Sequence, residues 1–193
     1  MKIFGIGLNK TGTTSLGQAL EILGYKKHLK SDLELLNAWS QGSLEVIQAA
    51  IDENEVFEDW PWPLTYEWVA DKYPDAKFIL TTRSSSERWF KSLCKHADKT
   101  GPTQFRKIVY GHEMPHEFME HHITYYNKHN ENVRSFFKDN GLTDRLLELC
   151  WEHGDGWNQL CPFLNHKVPS RDFPTANKSG TSLQKKIWKK IGF

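Results

Sequence analysis

The stretch Gly7-Leu8-Asn9-Lys10-Thr11-Gly12-Thr13-Thr14-Ser15-Leu16 directly follows the apolar run Ile3-Phe4-Gly5-Ile6, and this junction constrains the fold more than any other part of the chain. It reads as a strand, an anion-binding turn and the start of a helix. Small residues let backbone N–H groups converge on a phosphate, the hydroxyls of Thr11, Thr13, Thr14 and Ser15 add donors, and Lys10 supplies a cation. The helix that follows contributes the positive end of its dipole. Order matters as much as content. In the loop GxxxxGK[ST] of nucleoside triphosphatases the lysine comes after the second glycine. Here Lys10 precedes Gly12 and Thr13 stands where that lysine would be, which disfavours ATP hydrolysis.

A second anion-binding pattern begins at Asp75-Ala76-Lys77-Phe78-Ile79-Leu80-Thr81-Thr82-Arg83 and continues through Ser84-Ser85-Ser86-Glu87-Arg88-Trp89-Phe90-Lys91-Ser92. Lys77 to Thr82 reads as a buried strand, and Ser84 to Ser86 offer N-cap side chains to the next helix. An arginine at the carboxyl end of a strand can clamp a phosphate, and a serine about two turns into the following helix can reach the same anion. Taken singly, Arg83 and Arg88 would be surface charges beside a helix start.

The Lys10 loop resembles the 5′-phosphosulfate loop of sulfotransferases, which use 3′-phosphoadenosine 5′-phosphosulfate (PAPS) as donor. The Arg83 and Ser92 pair resembles their 3′-phosphate site, although the spacing is one residue longer than is usual there. The resemblance to a P-loop sulfotransferase-like family continues through Glu58-Asp59-Trp60-Pro61, Tyr126-Asn127-Lys128-His129-Asn130-Glu131-Asn132-Val133, Leu146 to Leu149, Gly156-Trp157-Asn158-Gln159-Leu160-Cys161-Pro162-Phe163-Leu164 and Phe173 to Asn177. It implies PAPS as co-substrate without a metal, with Lys10, Thr11, Gly12, Thr13, Thr14, Ser15, Arg83 and Ser92 binding it. The acceptor it implies is a small molecule or glycan. Cytosolic sulfotransferases carry a basic histidine in a His-x-Pro segment ahead of the 3′-phosphate arginine. Asp59-Trp60-Pro61 lies in the comparable place, making Asp59 the candidate base beside Lys10 as the catalytic cation. Asp59 could equally cap the turn around Pro61 and Pro63. Glu58 should face away from it if the strand runs that far. Asn177-Lys178-Ser179-Gly180 faintly echoes a late basic segment of the same family.

Length and composition agree with one α/β domain over residues 1–193. Strand patterns near 2–7, 55–59, 77–82 and 145–150 alternate with helical ones, the signature of a P-loop-type three-layer sandwich with a mainly parallel sheet. The working edge should lie at the strands' carboxyl ends. Thr13 to Leu23 has a helical apolar face ended by Gly24, and 116–139 is the longest helical candidate. The polar stretch 95–115, with Thr100-Gly101-Pro102, is a candidate acceptor-side lid. Trp60, Trp62, Tyr66 and Trp68 fit core packing better than an acceptor pocket.

A formal net charge of +1 supplies no global field for nucleic acid or membrane, so any basic site is local. The basic run Lys185 to Lys190 reads as the solvated face of a helix over 179–193. An odd number of cysteines without metal spacing and no leader or span pattern point to a reduced, cytoplasmic setting. His112-Glu113-Met114-Pro115-His116 matches HExxH as text, but Pro115 favours a helix beginning there rather than one already running through both histidines. His121, His122 and His129 read as surface or interface residues of the long helix, with His129 the alternative base. Beside PAPS-dependent transfer to a hydroxyl or amine stand two alternatives, a nucleotide or phosphate kinase-like enzyme and a catalytically silent nucleotide-binding protein. Sequence leaves the oligomeric state open.

Overall fold

The computed structural model describes residues 1–175. The predicted helix over 179–193 and the Asn177 to Gly180 segment lie outside the described residues. Five parallel strands, β1 (Ile3–Gly5), β2 (His28–Leu29), β3 (Val56–Glu58), β4 (Lys77–Thr81) and β5 (Leu146–Leu149), form one sheet in the order β2-β3-β1-β4-β5. The connections carry α1 (Thr13–Ile22), α2 (Leu33–Ser40), α3 (Leu44–Glu53), α4 (Trp62–Lys72), α5 (Ser86–Thr100), α6 (Gln104–Tyr110) and α7 (Met119–Asp139), and α8 (Trp157–Phe163) follows β5. No helix among the described residues is long and apolar enough to cross a membrane.

The strand pleat sorts the core into two layers. Phe4, Phe57, Phe78 and Leu80 pack on one face against Ile47 and Ile51 of α3, Trp62, Tyr66 and Val69 of α4, and Val133 and Phe137 of α7. Ile3, Val56, Ile79 and Leu149 face the other way, onto Leu16, Ala19 and Leu20 of α1 and Leu160 and Cys161 of α8. A third apolar group, with Leu8, Trp60, Trp89, Leu93, Tyr110 and Tyr126, joins the loop after β1 to α5, α6 and α7. The aromatic residues after Asp59 therefore pack: Trp60 and Trp62 are buried, as is Tyr66.

Two local readings change. The stretch 95–115 is mostly helical, since α5 runs to Thr100 and α6 occupies Gln104–Tyr110. Arg106 holds it together from inside, donating to the carbonyls of Glu113 (2.7 Å) and Gly101. His122 and His129 are buried rather than at the surface. The HExxH segment has no helix through both histidines, because α7 begins only at Met119; His112 stacks on Phe118 and His116 Nε2 sits 2.9 Å from Asp98.

Candidate active site

All parallel strands deliver their carboxyl ends to one edge, and the central pair, β1 and β4, brings the two anion-binding patterns together there. The loop after β1 is fixed from several sides. His129 Nε2–H donates to the Ile6 carbonyl (2.8 Å), Trp89 Nε1–H to the Asn9 carbonyl (2.9 Å), and Tyr110 OH to Asn9 Oδ1 (2.9 Å). The Thr11 hydroxyl donates to the Leu8 carbonyl (2.6 Å), which leaves it to accept from Thr81 Oγ1 (2.6 Å). Thr11 is fully buried and its N–H points back to Leu8, so its part is to shape the loop; its side chain is not turned to a ligand.

Lys10 has φ 70° and Asp59 φ 60°, left-handed conformations that non-glycine residues seldom take. Strain of this kind costs about 1–3 kcal/mol per residue and gathers where function fixes the backbone. Gly12, at φ 101°, is the N-cap of α1, so Thr13, Thr14 and Ser15 occupy its first turn. Ser15 N–H already donates to the Gly12 carbonyl (3.0 Å), so the N–H groups of Thr13 and Thr14, at the positive end of the helix, are the ones a helix start of this geometry offers to an anion.

Arg83 follows β4 and spans the two patterns. Its Nε–H donates to the Lys10 carbonyl (2.8 Å), Nη2 lies 3.4 Å from Ser92 Oγ, and its backbone N–H donates to Tyr126 OH (2.8 Å). Ser85 is the N-cap of α5 and accepts from Arg88 N–H, so Ser84 and Ser85 precede the helix and Ser92 lies within it. Arg83 Nη1 pairs with Glu152 at 2.9 Å.

Asp59 follows β3. The N-cap of α4 is Pro61, and the Asp59 side chain instead takes a hydrogen bond from Thr13. Its Oδ1 is buried and has no partner among the described residues. Burial pushes the Asp59 carboxyl above its usual pKa, with Thr13, Lys10 and Lys30 pulling the other way. Burial lowers the Lys10 pKa, opposed by Asp59 and reinforced by Arg83 and Lys99. Asp59, Lys10 and the α1 N-terminus thus share one electrostatic neighbourhood. His129 does not face it as a base: burial holds its pKa down to about 4, against the opposing effect of the Ile6 carbonyl that takes its proton. It is a neutral post beneath the loop.

Sequence reasoning missed Glu152, Tyr126 and Trp151 as parts of this edge. Tyr126 was visible only as one residue of a longer similarity. Glu152 carried the signal of an acidic residue just past a strand's carboxyl end, which does not separate it from Glu148 four residues earlier. Beside Arg83, a cleft of about 670 Å³ is lined by residues that follow β4, by Glu148 of β5 and the turn after it, and by α7, among them Tyr126, Asn130 and Arg134.

An all-parallel α/β sheet with a glycine-capped helix following β1 and an arginine following β4 is of P-loop type. The chain belongs to the sulfotransferase family: a family model described as "Sulfotransferase domain" matches residues 2–110 and 103–182. It is also similar to the "Ava biosynthesis cluster protein M" of Aspergillus versicolor, 26% identical over 233 aligned positions that span 98% of this chain and 87% of that protein.

Proposed function

We propose that this protein transfers a sulfuryl group from PAPS to a hydroxyl or amine of a small-molecule or glycan acceptor. The observation that carries the reading is the direct link between the two anion-binding patterns, Arg83 Nε–H to the Lys10 carbonyl at 2.8 Å with Ser92 beside the same guanidinium. A 5′-phosphosulfate takes the Gly12 to Ser15 turn, and a 3′-phosphate takes Arg83 and Ser92. The cleft beside Arg83 is within the size range of small-ligand pockets, roughly 300–1,000 Å³, and suits the nucleoside.

In the transfer, the acceptor oxygen or nitrogen attacks sulfur while the bond from sulfur to the bridging phosphate oxygen breaks. The electron pair goes to that oxygen, where Lys10 and the α1 N-terminus stabilise the charge. Asp59 takes the acceptor's proton. The products are the sulfated acceptor and 3′,5′-diphosphoadenosine. A raised carboxyl pKa makes Asp59 a stronger base, and its nearness to Lys10 favours the ionised form.

Calorimetric titration with 3′,5′-diphosphoadenosine, 5′-AMP and Mg-ATP tests the reading. Charge-assisted hydrogen bonds contribute about 1.5–3 kcal/mol each. The diphosphate should therefore bind some tenfold to a hundredfold more tightly than 5′-AMP, and Arg83→Ala should erase the difference. Equal affinity of the wild type for both would remove the 3′-phosphate assignment, and preferential binding of Mg-ATP would favour a kinase-like activity.

A further inference from the structure

Glu152 sits in the turn Trp151–His153, immediately past β5, and its carboxylate draws together four donors. Arg83 Nη1 donates at 2.9 Å, Arg88 Nη1 at 3.3 Å, Ser84 N–H at 2.9 Å and Ser84 Oγ–H at 2.6 Å. Two guanidinium groups, a hydroxyl and a backbone amide at the start of a helix are the partners that a phosphate group takes. Three-quarters of the Glu152 side chain is withdrawn from solvent, and that of Arg83 is 27% exposed, so the pair is held rather than loosely met.

The neighbouring residue closes the other half of the site. A Cβ on Gly12 would stand 2.4 Å from both Cδ1 and Nε1 of Trp151, so the indole lies directly on the Gly12 turn. Its Nε1 is buried and has no hydrogen-bond partner among the described residues. The turn is closed at its base, where Cys150 N–H donates to Asp155 Oδ2 at 2.7 Å, and Gly154 takes a left-handed φ of 90°. Trp151 to Gly154 lies beyond Leu149, the last paired residue of β5, so its displacement would leave that strand paired.

We propose that Glu152 is an internal stand-in for the donor's 3′-phosphate, and that the turn carrying it is displaced when the donor binds. The inference rests on the assignment of Arg83 to the 3′-phosphate. A singly charged carboxylate balances the two arginines while the site waits, and a phosphate with more charge and more acceptor oxygens replaces it. Apparent affinity is then the intrinsic affinity multiplied by the fraction of molecules in which Arg83 is free. Glu152 thus sets the threshold for recognising a 3′-phosphorylated nucleotide.

Glu152→Gln keeps the shape and removes the charge. The expected result is at least tenfold tighter binding of 3′,5′-diphosphoadenosine, a smaller gain for 5′-AMP, and a lower melting temperature without ligand. A residue that merely oriented Arg83 would move affinity and apo stability in the same direction. If the wild type prefers the diphosphate and Glu152→Gln binds it no better or more weakly, the stand-in is refuted while the site assignment survives. If neither protein distinguishes the diphosphate from 5′-AMP, the 3′-phosphate assignment itself fails and takes this inference with it.

Discussion

Glu58 ends β3 with its side chain 2% exposed, pressed against α1 so closely that a Cβ on Gly17 would stand 2.3 Å from Oε1. Oε1 has no hydrogen-bond partner among the described residues. Burial, with the nearby Asp59 charge adding, raises the Glu58 pKa from 4.5 to about 8. The native carboxyl then keeps its proton up to about pH 8, whereas the unfolded one releases it near 4.5. In that window the native state binds the extra proton, so this group's stabilisation is complete below pH 4.5 and is lost as pH rises towards 8. At 1.36 kcal/mol per pH unit, the loss between about pH 5 and 8 is about 3 to 4 kcal/mol. Glu58→Gln should abolish that slope. His129 works in the opposite sense, because its folded pKa of about 4 lies below the unfolded 6.5 and its contribution is lost as pH falls between them. The wild-type curve from about pH 4.5 to 6.5 therefore blends two opposed slopes, and only the difference between wild type and variant isolates Glu58. Urea unfolding of both proteins at the two pH values supplies it. Whatever the amide costs in place of the acid is the same at both, so the variant should gain about 3 to 4 kcal/mol on the wild type between them. A difference that stays constant within about 1 kcal/mol would show that Glu58 is ionised in the native state and refute the reasoning.

Lys10→Ala should lower sulfuryl transfer by about two to three powers of ten while leaving melting temperature nearly unchanged, as expected for a group aimed at leaving-group charge; turnover near wild type with labelled donor would make Lys10 peripheral. Asp59→Asn should cost about two to four powers of ten in rate with donor-product affinity intact. Its partner measurement is the pH–rate profile: a base must be ionised, so wild-type activity should fall as pH drops through a pKa raised above the ordinary aspartate value, and the variant should lose that limb.

The central sheet was legible because β1, β3 and β4 are apolar runs ending at Gly, Asp or Arg, and the observed strands lie within the predicted ones. β2 was not, since His28–Leu29 is only two residues at an edge and carries no period. The helices within 95–115 were not legible because they are held by Arg106, a charged residue whose burial depends on the carbonyls of Gly101 and Glu113 being nearby in space. Arg83 and Ser92 were readable as a pair because they flank one strand-to-helix junction, nine residues apart; Glu152 was not, because its partners come from that junction and α5, 64 to 69 residues away. Thr11 shows the same limit at short range. A hydroxyl in an anion-binding loop looks like a donor to the anion, but that of Thr11 donates to the Leu8 carbonyl and accepts from Thr81 across the β1–β4 pair.

Glu58 and Asp59 show how one pleat and one backbone torsion separate two adjacent carboxyls. Val56 faces the α1 layer and Phe57 the opposite one, so alternation returns Glu58 to α1, where Gly17 makes room for it. Continued alternation would carry Asp59 to the far face. Its φ of 60° ends the strand instead and brings the carboxylate to Thr13, at the N-terminus of the same helix. Both acids then border α1, and two charges so close in a poorly solvated place would repel strongly. Glu58 relieves the conflict by staying protonated. Burial raises the Asp59 pKa as well, but Thr13 donating to it and Lys10 nearby pull it back, so of the two Asp59 is the one with partners for a charge, as the proposed proton acceptor requires.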